Sequence, residues 1–437
     1  MIKKLILVFI CFPILLSAQH KISGTFTPPE DFKWVLLYKL SPQDSEYIER
    51  AAIDGEGKFE FVLDESNSKG LYKLVYDVPQ EQYNFDIIYN GAEDIELTFN
   101  SETGLEYINS QENKLMTSYT KSMGMISQSI GNFYNQQSQD SSALVSIFKT
   151  LRDTQDEFEK AAEGTIALDF ITANRPYLPE GYESPDTYVN NIKIHYFDHV
   201  DFNKDILLSS SFLIERVLNY VFGMSGEGTS ETEVYINNVR DVSKKIGNAK
   251  PETQKKIYGI LWQQLSDAAY EEVANFIGDT YLKPLAQELN DKELIEQLNL
   301  FKALTNGNAA PDFDIPNNGE QDKLSKLNTS KYYIVVFWSS VCSHCLEELP
   351  KLQNFISKIN ADELKVIAFA LEDDDKQWSK GILNFPDFTH VLGLGKWENE
   401  IGNAYNVTST PTYYVLDEDK NILAKPIDFE ELILVFQ

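Results

Sequence analysis

Apolar and polar residues alternate with a period of two through much of the span from 20 to 100. The runs 22–27, 34–40, 58–63, 71–76 and 85–89 are short, rich in β-branched and aromatic residues, and predict strands. Thr27-Pro28-Pro29, Asp54-Gly55-Glu56-Gly57 and Asn90-Gly91 supply turn residues between them. Many short strands at this spacing predict a small antiparallel β-sandwich over residues 20–100. From 101 to 303 the period becomes helical. The stretches 151–173, 211–221, 253–277 and 292–304 carry apolar residues three and four apart, and Pro176, Pro179 and Pro185 punctuate them. This span predicts an all-α region serving as a spacer or docking domain.

Past the breaker cluster Thr305-Asn306-Gly307-Asn308, strands alternate with helices from 305 to 437. Residues 332–338 are almost continuously apolar, as in a strand buried on both faces. A helix follows, with Leu349, Leu352, Phe355, Ile356 and Ile359 on one side, and 364–371 reads as the next strand. Segments 374–383 and 397–405 suggest further helices. Residues 413–416 and 421–424 flank a turn at 417–420, with little chain left for a final helix. A βαβ half followed by a β-hairpin half makes an α/β domain. Three such parts suit 437 residues, since one core rarely grows past ~250–300.

The first residues form a different pattern. Lys3 and Lys4 precede an apolar run from Leu5 to Leu16, and Ser17-Ala18-Gln19 offers a small-residue cleavage site. That layout predicts a cleaved secretory signal peptide over residues 1–18; the run is short for the ~20 residues of a spanning helix. Cys11 lies inside the run and would be discarded with it. The protein is therefore expected to be exported, to the periplasm or cell envelope of a bacterium.

Apolar residues make up 43% of the chain, enough for packed cores. The formal net charge is −29, which repels phosphate backbones and argues against nucleic-acid binding. Three cysteines are present, and loss of Cys11 leaves Cys342 and Cys345. A pair three apart closes too small a ring to stabilise much, so these thiols are free for chemistry. His195 and His199, four apart, would share a helix face and could start a zinc site. The metalloprotease pattern needs a glutamate after the first histidine, where Tyr196 stands, and no third ligand is identifiable. Packing is the favoured reading and no metal is assigned.

Four motifs occur in order: Ala310-Pro311-Asp312-Phe313, the stretch from Phe337-Trp338 to Cys342-Ser343-His344-Cys345, Glu348-Leu349-Pro350, and Ser409-Thr410-Pro411-Thr412. Together they resemble the thioredoxin-like TlpA/ResA group of bacterial envelope oxidoreductases, over residues 305–437. The Asp54-Gly55-x-Gly57-x-Phe59-x-Phe61 stretch resembles the β-domain found ahead of such domains in large envelope proteins. The resemblance implies a thioredoxin fold and a cytochrome c biogenesis-like setting.

The chemistry can be argued from the residues. Cys342 follows a buried strand and opens a helix, where unpaired N–H groups and the helix dipole stabilise a thiolate. It is the candidate nucleophile, and Cys345, one turn further, the resolving thiol. A structural disulfide or half a zinc site are the alternatives; zinc would need two further ligands. A protonated His344 would stabilise the thiolate and raise the reduction potential; otherwise it is an exposed residue at a helix start. The resemblance implies that Glu348 handles protons, that Pro411 is cis beside the cysteines, that Thr410 pairs with a substrate strand and that Trp338 packs beside the site as a further substrate contact. The buried aspartate of thioredoxin itself is replaced by Val336, and Val341 stands where an aromatic is common. TlpA/ResA-like proteins are typically reductants, whereas His344 points toward an oxidant or isomerase.

The expected activity is thiol–disulfide exchange with exported proteins, through the redox-active disulfide Cys342–Cys345 and no other cofactor, with recharging by a membrane-bound thiol electron-transfer partner. An envelope binding protein using the same fold as scaffold is the alternative. A peroxiredoxin-like peroxidase ranks lower, because no arginine follows residue 300 to hold a peroxide.

Overall fold

A computed structural model describes residues 20–42, 45–64, 66–226, 228–317 and 320–437. The expected signal peptide over 1–18, with Cys11, lies outside the described residues. Among the described residues no helix is long and apolar enough to cross a membrane. The chain divides into two compact units, one ending at Ile257 and one running from Tyr258 to Gln437.

The first unit opens with eight strands: β1 (His20–Thr27), β2 (Trp34–Leu40), β3 (Ser45–Ala52), β4 (Lys58–Leu63), β5 (Gly70–Val75), β6 (Asn84–Tyr89), β7 (Ile95–Asn100) and β8 (Gly104–Asn109). They form two four-stranded sheets, ordered β4-β1-β7-β8 and β3-β2-β5-β6. Alternate residues such as Ile22, Phe26, Val35, Leu37, Phe59, Phe61 and Leu97 face one shared core. The sandwich is mixed rather than antiparallel, because β7 adds to the free side of β1 and runs parallel to it. In the turn before β4, the Asp54 carboxylate accepts the N–H groups of Glu56 and Lys58 at 2.8 and 2.9 Å. Gly57 there has φ +83°, and an added Cβ would strike the Phe26 carbonyl oxygen, so only glycine serves.

Helices follow: α1 (Gln111–Asn135), α2 (Ser141–Ala161), α3 (Ala167–Ala173), α4 (Pro185–His195), α5 (Asp205–Leu208), α6 (Phe212–Gly223), α7 (Glu231–Ile246) and α8 (Pro251–Asp267). The expected stretch 151–173 is split between α2 and α3 by a turn. Buried Asn113, in the first turn of α1, donates to the Ile88 carbonyl and accepts its N–H, tying helix to sheet. His195 is the last residue of α4 and His199 lies beyond it, so the two rings do not share a helix face. The His195 Nδ1 lies 2.5 Å from an Asp198 carboxylate oxygen, and its ring stacks on Tyr177. No group of three or more His, Cys, Asp or Glu among the described residues could hold a metal.

The second unit begins within α8, at Tyr258, and continues with α9 (Glu271–Ile277), joined by a π-turn (Gly278–Leu282) to α10 (Lys283–Glu288), and with α11 (Lys292–Ala303). A hairpin of β9 (Asp314–Asn317) and β10 (Glu320–Lys323) precedes β11 (Tyr332–Trp338), α12 (Ser343–Ile356), β12 (Leu364–Glu372), the one-turn α13 (Trp378–Gly381) and β13 (Thr389–Leu394). The chain ends through α14 (Glu400–Ala404), β14 (Thr412–Leu416), β15 (Ile422–Ala424) and α15 (Phe429–Leu434). The five-stranded sheet has the order β13-β12-β11-β14-β15, with β11 parallel to β12 and antiparallel to β14. Period two explains its two cores. Tyr333, Val335 and Phe337 point to one face, with Phe313 and Tyr405. Ile334, Val336 and Trp338 point to the other, against Leu349 and Leu352 of α12. Each fully buried aliphatic or aromatic side chain contributes about 1.5–3 kcal/mol, so the central strand anchors whatever its C-terminal end presents.

Candidate active site

The end of β11 presents Ser339-Ser340-Val341-Cys342. Cys342 is the N-cap of α12, and its sulfur accepts the Cys345 N–H at 3.4 Å. The Cys342 N–H donates to the Ser339 carbonyl at 3.1 Å, which folds the loop back on the strand. Cys342 is partly exposed, and its S–H donates to the Thr410 carbonyl at 3.2 Å. Burial pushes the Cys342 thiol up. Hydrogen bonding around it outweighs this and holds it below its ordinary range; Thr410, Cys345 and the backbone N–H groups of Cys345 and His344 all take part. Cys345 lies one turn deeper and is fully buried. Burial above all, then the neighbouring Cys342, pushes its thiol up to about 12. Both cysteines are free thiols.

The Thr410–Pro411 bond is cis. Register brings it to the cysteines: β14 runs antiparallel to β11, with Thr412 opposite Phe337 and Tyr413 opposite Val336. Glu348, on the same face of α12 as Cys345, is half-buried, and its Oε2 accepts the Tyr413 hydroxyl at 2.8 Å. The Tyr413 phenol is pushed far up, by burial first, then by its hydrogen bond to Glu348 and by the charges of Glu348 and Cys345.

Residues 329–422 match a family model described as thioredoxin-like. The C-terminal part of the chain contains a thioredoxin-like domain. Among curated proteins it is similar to the thioredoxin-like protein YneN of Bacillus subtilis, 31% identical over 115 residues, 26% of this chain and 65% of that one. It is also similar to sporulation thiol-disulfide oxidoreductase A of the same organism, 26% identical over 113 residues, 25% of this chain and 61% of that one. The chain thus spans under two thirds of the length of either relative. Among solved structures, a thiol-disulfide oxidoreductase from Bacteroides fragilis is 25% identical, with 29% of this chain and 96% of that chain covered and a TM-score of 0.26. A thioredoxin-like protein from Bacteroides caccae is 18% identical, with 60% and 98% covered and a TM-score of 0.34.

Within the thioredoxin-like domain, Cys342, Cys345, Glu348, Thr410 and Pro411 come together. The His344 side chain is exposed at the helix start. Trp338 corrects the expectation of a substrate contact: it has no exposed surface and packs edge-on against Phe385 behind the site. The alternation of β11 sends it inward with Ile334 and Val336. The tryptophan near the sulfur is Trp397, half-exposed in the short 3₁₀ turn Lys396–Glu398. With Val341, Leu371, Lys396 and Thr410 it lines a cavity of about 150 Å³ beside Cys342.

Sequence reasoning missed two further residues. Tyr413 was visible only as one of a strand's aromatics; its position two after Pro411 is the signal that could have placed it by the site. Glu372 closes β12 and is 4% exposed, beneath the loop before Cys342. An acid ending an otherwise largely apolar strand was the available signal.

Proposed function

We propose that the protein exchanges disulfides with exported proteins through Cys342 and Cys345, with no cofactor beyond that pair. The observation that carries this reading is the division of labour between the thiols: Cys342 is reachable and held below its ordinary range, while Cys345 is buried and pushed up to about 12. The printed name of the second relative, a thiol-disulfide oxidoreductase, supports it. The lysine-led apolar leader supports export.

In the reducing direction, the Cys342 thiolate attacks one sulfur of a substrate disulfide. A Cys342–substrate S–S bond forms, the substrate's own S–S bond breaks, and the leaving sulfur departs as a thiolate that takes a proton from water. Cys345 then yields its proton to Glu348, whose carboxylate the Tyr413 hydroxyl orients, and attacks Cys342 Sγ. The second substrate sulfur leaves and is protonated. Two electrons and two protons have reached the substrate, and the pair is a disulfide. A membrane-bound dithiol partner returns two electrons and one proton to the pair by the same steps in reverse, and its second proton goes to water. Thr410, beside Cys342, offers backbone to an extended substrate segment, and the Trp397-lined cavity receives an adjoining side chain.

A full-length Cys345→Ser variant tests this. Lacking the resolving thiol, it is expected to accumulate dithiothreitol-labile adducts with envelope proteins, absent from the Cys342→Ser/Cys345→Ser double variant. Equal, background-level adducts in both would overturn the reading and favour a binding protein built on the same scaffold.

A further inference from the structure

We infer that Glu372 is a positioning residue that lowers the reduction potential of the Cys342–Cys345 pair and so biases the domain toward donating electrons. The inference rests on the exchange reaction proposed above and adds its direction.

Glu372 Oε1 accepts the Ser340 N–H at 2.5 Å, and Oε2 accepts the Ser339 hydroxyl at 3.4 Å. Both oxygens are thus engaged by the loop that leads from β11 to Cys342. Ser339 passes the effect forward. Its carbonyl takes the Cys342 N–H at 3.1 Å. One buried carboxylate therefore holds the loop that fixes the Cys342 backbone, and it places negative charge beneath that loop.

The surrounding charges leave that effect standing. Lys396 also feels Glu372, but its ammonium is paired with Asp373 at 2.5 Å. These three groups sum to one negative charge. Glu348 and Tyr413 face Cys345 from the other side, and His344 is exposed on the pair's own helix.

The sign follows from the half-reaction. The disulfide takes up two electrons and one proton to become a Cys342 thiolate and a Cys345 thiol. Only the reduced state carries the charge, so a nearby carboxylate disfavours it and lowers the potential. Glu372 thus opposes His344, whose protonated ring would favour the thiolate.

Full-length wild type and Glu372→Gln are equilibrated with a glutathione couple at pH 7, and the oxidised fraction is read by thiol alkylation and mass spectrometry. Thiolate absorbance near 240 nm gives the Cys342 titration. The amide keeps an acceptor for Ser340 and removes the charge. Expected is a shift of the equilibrium constant toward the dithiol by about tenfold, or about 30 mV, with the Cys342 midpoint moving to lower pH. Glu372→Asp keeps the charge one methylene further back; it shifts the same way by less, and serves as the readout should the amide variant not fold. Unchanged potential and titration, or a shift in the opposite direction, overturn the inference, since a merely structural role moves neither. If the wild type itself fails to equilibrate, the exchange reaction falls instead, so the two failures are distinguishable.

Discussion

The contrast between the two thiols gives a quantitative test. Of the pair, only Cys342 remains in Cys345→Ser, and only Cys345 in Cys342→Ser. A thiol pushed up to about 12 is ionised at pH 7 to a fraction on the order of 10⁻⁵, against about 3% for a thiol at the unperturbed ~8.5. Taking that unperturbed thiol as the reference for Cys342, which is shifted downward, the thiolate fractions differ by roughly 3,000-fold. The more basic thiolate is the better nucleophile. With a Brønsted slope of ~0.4–0.5 that returns about 25–50-fold, leaving a net ratio of about 10². Removing Cys342 also removes one of the causes that raise Cys345, but burial, the larger one, persists and also denies reagent access. The assay is iodoacetamide alkylation of the folded variants from pH 5 to 9, followed by mass spectrometry. Cys345→Ser is expected to react about 10² times faster at pH 7, with a midpoint below that of a free thiol. Rates within threefold of each other, or a faster Cys342→Ser variant, would refute the assignment of nucleophile and resolving thiol.

Trp338→Ala empties a fully buried site behind the cysteines and is expected to cost about 3–5 kcal/mol, measured by urea unfolding; a cost below about 1 kcal/mol would mean that Trp338 is not a core residue. Tyr413→Phe removes the 2.8 Å bond to Glu348, so it should lower stability by about 1 kcal/mol. It should also slow release of the mixed disulfide while leaving Cys342 alkylation unchanged. His390 is held below its ordinary range by burial, against the opposing bond between its Nε2 and the Phe385 carbonyl at 2.8 Å. Its folded value is depressed, so the stability it contributes is present above the unfolded value of ~6.5 and is lost as pH falls from there toward the folded value. Over that window His390→Gln should lose less stability than wild type, by the urea midpoint.

Much of this architecture was legible because burial writes itself into the sequence. The strand 332–338 is apolar at every position because both sheet faces are covered, and it was read to the residue. The cysteine pair declared itself by spacing and by its place after that strand. What escaped were elements whose residues answer to neighbours far along the chain. Strand β3 is an edge strand, mostly exposed, with Glu46, Glu49 and Arg50 along it and no buried stripe to give it away. Strand β7 pairs parallel with β1 some seventy residues earlier, a pairing set by how the chain returns between sheets. The His195–His199 spacing suggested a shared face, yet the helix stops at His195. Trp338 was expected to meet substrate by resemblance, while strand alternation turned it inward. Glu372 and Tyr413 reach the site through sheet register, of which the local sequence carries only hints: an acid closing an apolar strand, and a place two residues after Pro411.

The most direct test of the central claim is a redox titration of the full-length chain against a glutathione couple, read by alkylation of Cys342 and Cys345. The account predicts one reversible two-electron transition that interconverts dithiol and disulfide and disappears in Cys342→Ser. A pair that never forms a disulfide across the accessible range, or forms one that the couple cannot reopen, would contradict it.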